Sequence, residues 1–299
     1  MPMDGVMLGF VARELDSVLH DGRVDRVIQP EKDEIHLLIR AGGTNHRLVL
    51  SASASAARAH LSSHAKTGPM EPPMLCMLLR KYLCGGRVLS VQRIAGDRIL
   101  KIDISNLSEL GDPVTRTLII EIMGRHSNII LCAADGRIID AARHVGQDIS
   151  RVRQVMPGLP YAYPPSQGKL DPDTATSAAI AASLIAAGGK LDKAIGASIA
   201  GFSPQAAREA AARIGLDGSS LIADIDVQQA ADTLEAYLRT MPTLSPCVVT
   251  LDDTDAPTDV FPFPQTHLSM AHIREFDSPS AALDAYFYER DRRDRLNQR

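Results

Sequence analysis

The sequence predicts an α+β protein in which an antiparallel β-sandwich or barrel with flanking helices precedes an α-helical domain. Short apolar runs separated by turns rich in Gly and Asp recur between residues 23 and 142, which is typical of antiparallel strands. Two segments with helical spacing of apolar residues accompany these runs. A proline-rich stretch, residues 157–173, which we expect to be an extended linker, then leads into an alanine-rich region.

The first helix is predicted to begin at Asp4, a suitable N-cap, and to end before Gly22. The period of the apolar residues then changes to that of strands. A second helix is expected over residues 73–84, with Pro73 near its first turn and two glycines after its end. Strands are predicted on both sides of it, at Arg23–Gln29, Glu34–Arg40, His46–Ser51, Arg87–Ile94, Arg98–Ile104, Thr115–Met123, Asn128–Ala133 and Ile138–Ala142.

These elements place a β-rich domain at residues 1–172 and a helical domain at residues 173–240. Within the helical domain, Ser203 and Pro204 start a helix after a short turn, as in helix-hairpin-helix modules, whose free N–H groups bind anions. Ser203 stands where such a hairpin usually has its second glycine, so phosphate binding stays open. Short strands are predicted in residues 241–278. Residues 279–299 predict the start of a long helix of coiled-coil type, which we expect to continue.

Composition restricts the class of protein. The chain of 299 residues has a formal charge of −4, whereas a general polyanion binder is normally basic. Its four cysteines form no CxxC pair and indicate a reducing compartment. The N-terminus lacks the basic region of a signal peptide, and the most apolar run is about half the length that spans a bilayer. We therefore expect a soluble cytoplasmic protein without a membrane segment.

Charge is distributed unevenly along the chain. Residues 51–100 contain seven Lys or Arg and two acids, a local charge of +5, whereas residues 201–299 have a charge of −7 from nine basic and sixteen acidic residues. The basic segment would suit a docked phosphate backbone, and Arg80, Lys81 and Arg93 within it are candidate RNA-binding residues. A solvated face with ordinary ion pairs accounts for the same counts. Both interpretations stay open at this stage.

Two turns have the residue types that recognise RNA. Gly96-Asp97-Arg98 offers one acceptor and one planar donor fork, which suit an unstacked base edge and a neighbouring phosphate. An Asp that bonds its own backbone, beside an Arg that reaches water, is the alternative. The second turn adds four candidate residues: Arg125, His126, Ser127 and Asn128.

Motifs for cofactors and metals are not found in the sequence. It contains no GxGxxG, P-loop or HExxH pattern. His60 and His64 are four residues apart, but without an acidic neighbour an exposed or capping pair is favoured over metal ligands. Neither a cofactor nor a metal is predicted.

Five segments taken together, in their order along the chain, carry a resemblance to a known family: Gly22–Arg40, Glu71–Gly86, Ala95–Ile99, Glu121–Leu131 and Met156–Pro172. Over essentially its whole length the chain resembles the N-terminal part of the NFACT family, the RqcH-type ribosome-quality-control factors, also called fibronectin/fibrinogen-binding-protein-A-like. The resemblance implies a first domain similar to the N-terminal domain of formamidopyrimidine-DNA glycosylases and then a helix-hairpin-helix domain. A coiled coil and a C-terminal RNA-binding domain would follow.

The resemblance also implies a function. The family binds large ribosomal subunits obstructed by peptidyl-tRNA and recruits tRNA, of the alanine type, so that the stalled chain receives an alanine-rich tail. Peptide transfer would belong to the ribosome. Asp97 and Arg98 match the family's aspartate–arginine pair, which is implicated in engaging tRNA near the anticodon. Residues 124–128 match a family turn to which we assign no role.

Two other functions are also compatible with parts of the sequence. A DNA glycosylase/lyase could use Pro2, whose amine would form a Schiff base after removal of Met1. However, Met3 stands where that family has a glutamate, and the CxxC pairs of its zinc finger are missing. An extracellular adhesin that binds fibronectin or fibrinogen would at best be a secondary role, because no signal peptide is present.

Overall fold

The described part of the β-rich region contains two helices, α1 and α2, and nine strands. The computed structural model describes residues 2–267 and 272–297. Asp4 caps α1 as predicted, because its side chain accepts from the Met7 N–H at 2.9 Å. The elements are α1 (Gly5–Leu19), β1 (Arg23–Glu31), β2 (Glu34–Ala41), β3 (Thr44–Ser51), β4 (Arg58–Leu61), α2 (Met74–Leu83), β5 (Arg87–Arg93), β6 (Ile99–Leu107), β7 (Pro113–Glu121), β8 (Asn128–Cys132) and β9 (Ile138–Ala141).

These nine strands form one antiparallel sheet in the part of the chain that the structure describes, in the order β4-β3-β2-β1-β5-β6-β7-β8-β9. The two halves of the sheet meet where β1 pairs with β5, and Arg23 lies opposite Arg87 in this pair. Apolar side chains of both halves and of α1 and α2 share one core. The predicted α+β class, with a large antiparallel sheet and flanking helices, is confirmed. The order of the described strands is open, with β4 and β9 at its ends, so they do not close into a hydrogen-bonded barrel.

A helical unit follows and has its own core. Its helices are α3 (Ser177–Ala187), α4 (Leu191–Ser198), α5 (Pro204–Arg213) and α6 (Val227–Thr240). Val6 and Phe10 of α1 belong to this second core, whereas Leu8 and Leu15 belong to the first. Helix α1 therefore joins the two cores along opposite sides of its surface.

The predicted helix-hairpin-helix domain is wrong, because the α4–α5 turn is packed inside the molecule. Gly201 O accepts from the Gly5 N–H at 2.7 Å. The Ser203 hydroxyl donates to Asp4 at 2.7 Å and accepts from the Ala206 N–H at 3.2 Å. An aspartate therefore already lies at the start of α5, where a helix-hairpin-helix module would receive a phosphate.

The last segment returns to the first core. Strands β10 (Cys247–Leu251), β11 (Pro257–Phe261) and β12 (Ile273–Phe276) form a small sheet, and α7 (Pro279–Asn297) packs on it and on α1. Ser278 caps α7 by accepting from the Ala281 N–H at 3.1 Å. Parts of two predicted segments, residues 268–271 and 298–299, lie outside the described residues. Within the described ranges, no helix has both the length and the apolar character needed to cross a bilayer.

Candidate nucleic-acid interface

The Asp97–Arg98 turn joins β5 to β6 and is held by backbone hydrogen bonds at each side. The Asp97 N–H donates to Ile94 O at 2.9 Å, and Arg98 O accepts from the Ile122 N–H at 2.9 Å. Ala95 (φ 50°) and Gly96 (φ 74°) have left-handed conformations. Asp97 Oδ1 accepts from the Arg98 N–H at 2.7 Å. The carboxylate therefore makes the local backbone bond expected of an aspartate in a turn, and this bond fixes its direction.

Three glycines from distant parts of the chain, one of them in the turn itself, pack closely together here. A Cβ atom added to Gly201 would lie 2.2 Å from Gly96 O, and one added to Gly5 would lie 2.3 Å from the Gly201 Cα atom. A Cβ atom on Gly96 would lie 2.3 Å from the Cδ atom of Pro172. The turn thus lies where α1, the proline-rich segment and the α4–α5 turn meet. The sequence predicted Asp97 and Arg98 but contained no signal for this contact between glycines.

A cleft of about 200 Å³ opens beside the turn. Asp97, Tyr163 and Lys169 are among its lining residues, and Ala200 and Gly201 contribute from the helical unit. Asp97 and Arg98 are both half-buried. The turn therefore combines a fixed backbone with partial access to solvent, which suits recognition of a ligand that enters the cleft.

In the second predicted turn, two residues are exposed and two are buried. Arg125 and His126 are exposed in a short 3-10 helix, and the Arg125 Nε–H donates to His126 Nε2 at 3.1 Å. The Ser127 side chain is buried and donates to Gly124 O at 2.7 Å. Asn128 is also buried, and its Oδ1 atom accepts from the Arg143 N–H at 2.9 Å. Ser127 and Asn128 therefore hold the turn that presents Arg125 and His126.

Each of the three predicted cations of the basic segment has a partner of its own. Arg80 is half-buried and its Nε–H donates to Val27 O at 2.9 Å, whereas exposed Lys81 lies 3.5 Å from Glu109. Arg93 has a side chain only 4% exposed, and it donates to Gly5 O at 2.6 Å and to Asp173 at 2.9 Å. Arg93 thus connects α1 to the end of the proline-rich segment inside the protein. The prediction that Arg93 contacts RNA at the surface is wrong, because its side chain is buried.

Two other cations of residues 51–100 are also buried or paired with an acid. Arg58 is buried with its guanidinium 4.6 Å from the centroid of the Phe287 ring. Lys66 forms an ion pair with Glu34 at 2.9 Å. The local charge of +5 therefore does not form one docking surface, and ordinary pairing accounts for much of it.

The proline-rich segment is not the extended linker that its composition predicts. The Ile138 N–H donates to Leu159 O at 2.8 Å, and the Tyr161 N–H donates to Gly136 O at 2.9 Å, so the segment pairs with the β9 region. This fold-back brings Tyr163 and Lys169 to Asp97. Neither residue was a candidate from the sequence, because composition gives a linker no fixed neighbours.

His60, His64 and Cys132 are each buried or paired within the protein. Burial, followed by the charge of Arg58, lowers the pKa of His60 to about 4, and His64 is bound to Asp284 at 3.0 Å. Burial raises the pKa of Cys132 to about 11. Among the described residues, no group of three or more His, Cys, Asp or Glu could hold a metal ion.

The fold and the site define an α+β protein with a large antiparallel sheet and a helical unit. The two meet at the polar turn between β5 and β6, which tertiary contacts hold in place. Comparison with known proteins identifies the class more closely. The family described as "NFACT N-terminal and middle domains" matches residues 4–299. The chain belongs to the NFACT family.

Three similar proteins illustrate the relationship. The protein named "Rqc2 homolog RqcH" of Bacillus subtilis (strain 168) is 36% identical over 299 residues, covering 100% of this chain and 51% of the relative. Its namesake in Streptococcus suis is 32% identical over 301 residues, covering 100% and 50%. A solved structure, the N-terminal part of the fibronectin/fibrinogen-binding protein from Streptococcus suis, has a TM-score of 0.80 at 30% identity and covers 96% of this chain and 99% of that chain. The chain spans about half the length of the two curated relatives.

Proposed function

We propose that the chain is the tRNA- and large-ribosomal-subunit-binding module of a cytoplasmic ribosome quality control factor. It recruits tRNA, expected to be of the alanine type, to large subunits that hold peptidyl-tRNA, and the stalled chain then receives a C-terminal alanine tail. Membership of the NFACT family and similarity to proteins named RqcH support this proposal.

The position of the Asp97–Arg98 turn is the observation on which the proposal depends. Backbone bonds and the three-glycine contact hold the turn, so binding would order few of its own atoms. A preorganised site loses less entropy on binding than a mobile loop does. The carboxylate and guanidinium supply the acceptor and donors that an unstacked base and its phosphate require.

The test replaces both residues, Asp97→Ala with Arg98→Ala, and measures the affinity of the chain for tRNA. We expect binding to be lost while the thermal unfolding midpoint stays near that of the wild type. Asp192→Ala with Lys193→Ala is the matched control, because this acid–cation pair of α4 has the same local bond, from the Lys193 N–H to Asp192 Oδ1 at 2.7 Å, and was not a candidate for RNA binding. Unchanged tRNA affinity in the double variant would contradict the proposed site. The same double substitution in the full-length factor should abolish alanine tails on a stalled reporter peptide.

The chain itself performs no bond chemistry in this proposal. Its buried thiols are poor nucleophiles, since burial raises the pKa values of Cys132 and Cys247 to about 11 and about 12. Pro2 is half-buried in the turn before α1. Borohydride treatment of the chain with abasic DNA should yield no covalent adduct, and an adduct lost on substitution of Pro2 would instead establish a lyase.

Binding of fibronectin or fibrinogen is a second candidate function. It is favoured by the name of the similar Streptococcus suis structure, which is a fibronectin/fibrinogen-binding protein. Saturable binding of the chain to immobilised fibronectin or fibrinogen, with surface labelling of intact cells, would support this role. Failure of either measurement would argue against it.

A further inference from the structure

We propose that Tyr163 is a stacking platform for an unpaired RNA base beside the Asp97–Arg98 turn. This inference rests on the proposed function and adds to it a residue and a class of ligand, single-stranded RNA. The Tyr163 side chain is 48% exposed, although it belongs to a segment that is pinned on both sides. An exposed aromatic ring on fixed backbone is the element on which single-stranded RNA bases stack.

Tyr163 lines two clefts. The first is the cleft that contains Asp97 and Lys169. The second is a cleft of about 360 Å³ whose lining residues include Arg151, Val152 and Pro165. A strand of RNA that passes from one cleft to the other would therefore cross the tyrosine ring.

Buried contacts hold the Tyr163 ring in place. It packs against the Tyr161 ring in an edge-to-face arrangement, with the ring centroids 5.3 Å apart and the ring planes at 86°. The Tyr161 hydroxyl donates to Glu121 Oε2 at 2.7 Å, and Arg153 binds both oxygens of the same carboxylate. The Arg153 Nε–H also donates to Ala162 O at 2.6 Å, next to Tyr163. The ring is thus positioned before any ligand arrives.

The charges around the ring suit a phosphate backbone. The described residues that line the two clefts include three cations, Arg151, Arg153 and Lys169, and one acid, Asp97. Buried Glu121 neutralises Arg153. In the part of the chain that the structure describes, neither Arg151 nor Lys169 has an ion-pair partner. Two uncompensated cations beside an exposed ring are the combination found in grooves for single strands.

A tryptophan reporter tests the stacking directly. The chain contains no tryptophan, so Tyr163→Trp creates a single fluorophore at the platform. A stem–loop RNA with an unpaired loop should quench its fluorescence, whereas a duplex with the same stem sequence should not. Tyr288→Trp is the matched control, because Tyr288 is 46% exposed on α7 and stacks on His64. Equal quenching by the two RNAs, or equal quenching at both positions, would overturn the platform.

Affinity measurements separate this inference from the proposed function. Tyr163→Ala should weaken tRNA binding by roughly 5- to 150-fold, the range for loss of one base–aromatic stack, whereas Tyr163→Phe should retain the affinity. If the Asp97/Arg98 double variant loses binding while Tyr163→Ala binds normally, the platform is wrong and the proposed function stands. If the wild-type chain binds no tRNA, both are overturned. Weakened binding of a proline-rich peptide, with RNA unaffected, would assign the surface to a protein partner instead.

Discussion

Substitution of Gly201 by alanine should disrupt the close packing of three glycines that holds the Asp97–Arg98 turn. Gly201 has a φ of +77°, and its new Cβ atom would lie 2.2 Å from Gly96 O and 2.7 Å from the Gly5 Cα atom. Both neighbours are backbone atoms, so relief requires the segments to separate. The left-handed conformation alone costs an alanine about 1–2 kcal/mol. Loss of the Gly5–Gly201 hydrogen bond adds about 1 kcal/mol.

We therefore expect Gly201→Ala to lower the free energy of unfolding by about 2–3 kcal/mol, measured by urea denaturation, and to weaken tRNA binding through displacement of the turn. Gly215→Ala is the matched control. Gly215 has a φ of +81° but no atom within 4 Å of its added Cβ position, so it reports the cost of the backbone conformation alone. Equal destabilisation by the two variants would refute the argument that close packing of three glycines holds the turn.

Three further predictions concern groups inside the sheet domain. Arg93→Ala should destabilise the chain by about 1–3 kcal/mol in urea, because Gly5 O loses its buried donor, and a neutral result would refute this connection. Burial alone would raise the pKa of Glu34, but hydrogen bonds from a histidine and a lysine outweigh it and lower the pKa from 4.5 to about 2. Its ionised form therefore stabilises the fold above pH 4.5 by up to about 3 kcal/mol, and this contribution is lost as the pH falls towards 2. The stability difference between wild type and Glu34→Gln, measured in urea from pH 7 to pH 2, should shrink across that window; a constant difference would contradict the assignment. Of the four cysteines, half-buried Cys84 should react first with a thiol reagent in the native chain, and mass spectrometry of the labelled peptides checks the order.

Local signals in the sequence were sufficient for most of the fold. Asp4 caps α1 as predicted, because a cap depends on neighbours within one turn of helix, and Ser278 caps α7 in the same way. The strand β4 was missed. It is four residues long, and its polar members Arg58 and His60 are buried beneath α7, so it has no apolar alternation to detect. Burial of a cation under a distant helix cannot be read from its own segment.

The candidate site was predictable only in part. Asp97, Arg98, Arg125 and His126 were identified as polar turn residues, and the structure places them at turns with at least partial exposure. Arg93 belonged to the same basic segment, yet its side chain is buried. The sequence counts charges, but exposure is decided by the elements that pack around each one.

The sequence alone determined most of the helices and strands in their order, with β4 the exception, together with the cap of α1 and the polar turn between β5 and β6, because each depends on residues close together in the chain. Tertiary structure decided that Gly5, Gly96 and Gly201 meet, that the α4–α5 turn faces inward, and that Tyr163 lies beside Asp97. These contacts join segments far apart in sequence. They follow from how two cores pack along α1, and no local pattern encodes that packing.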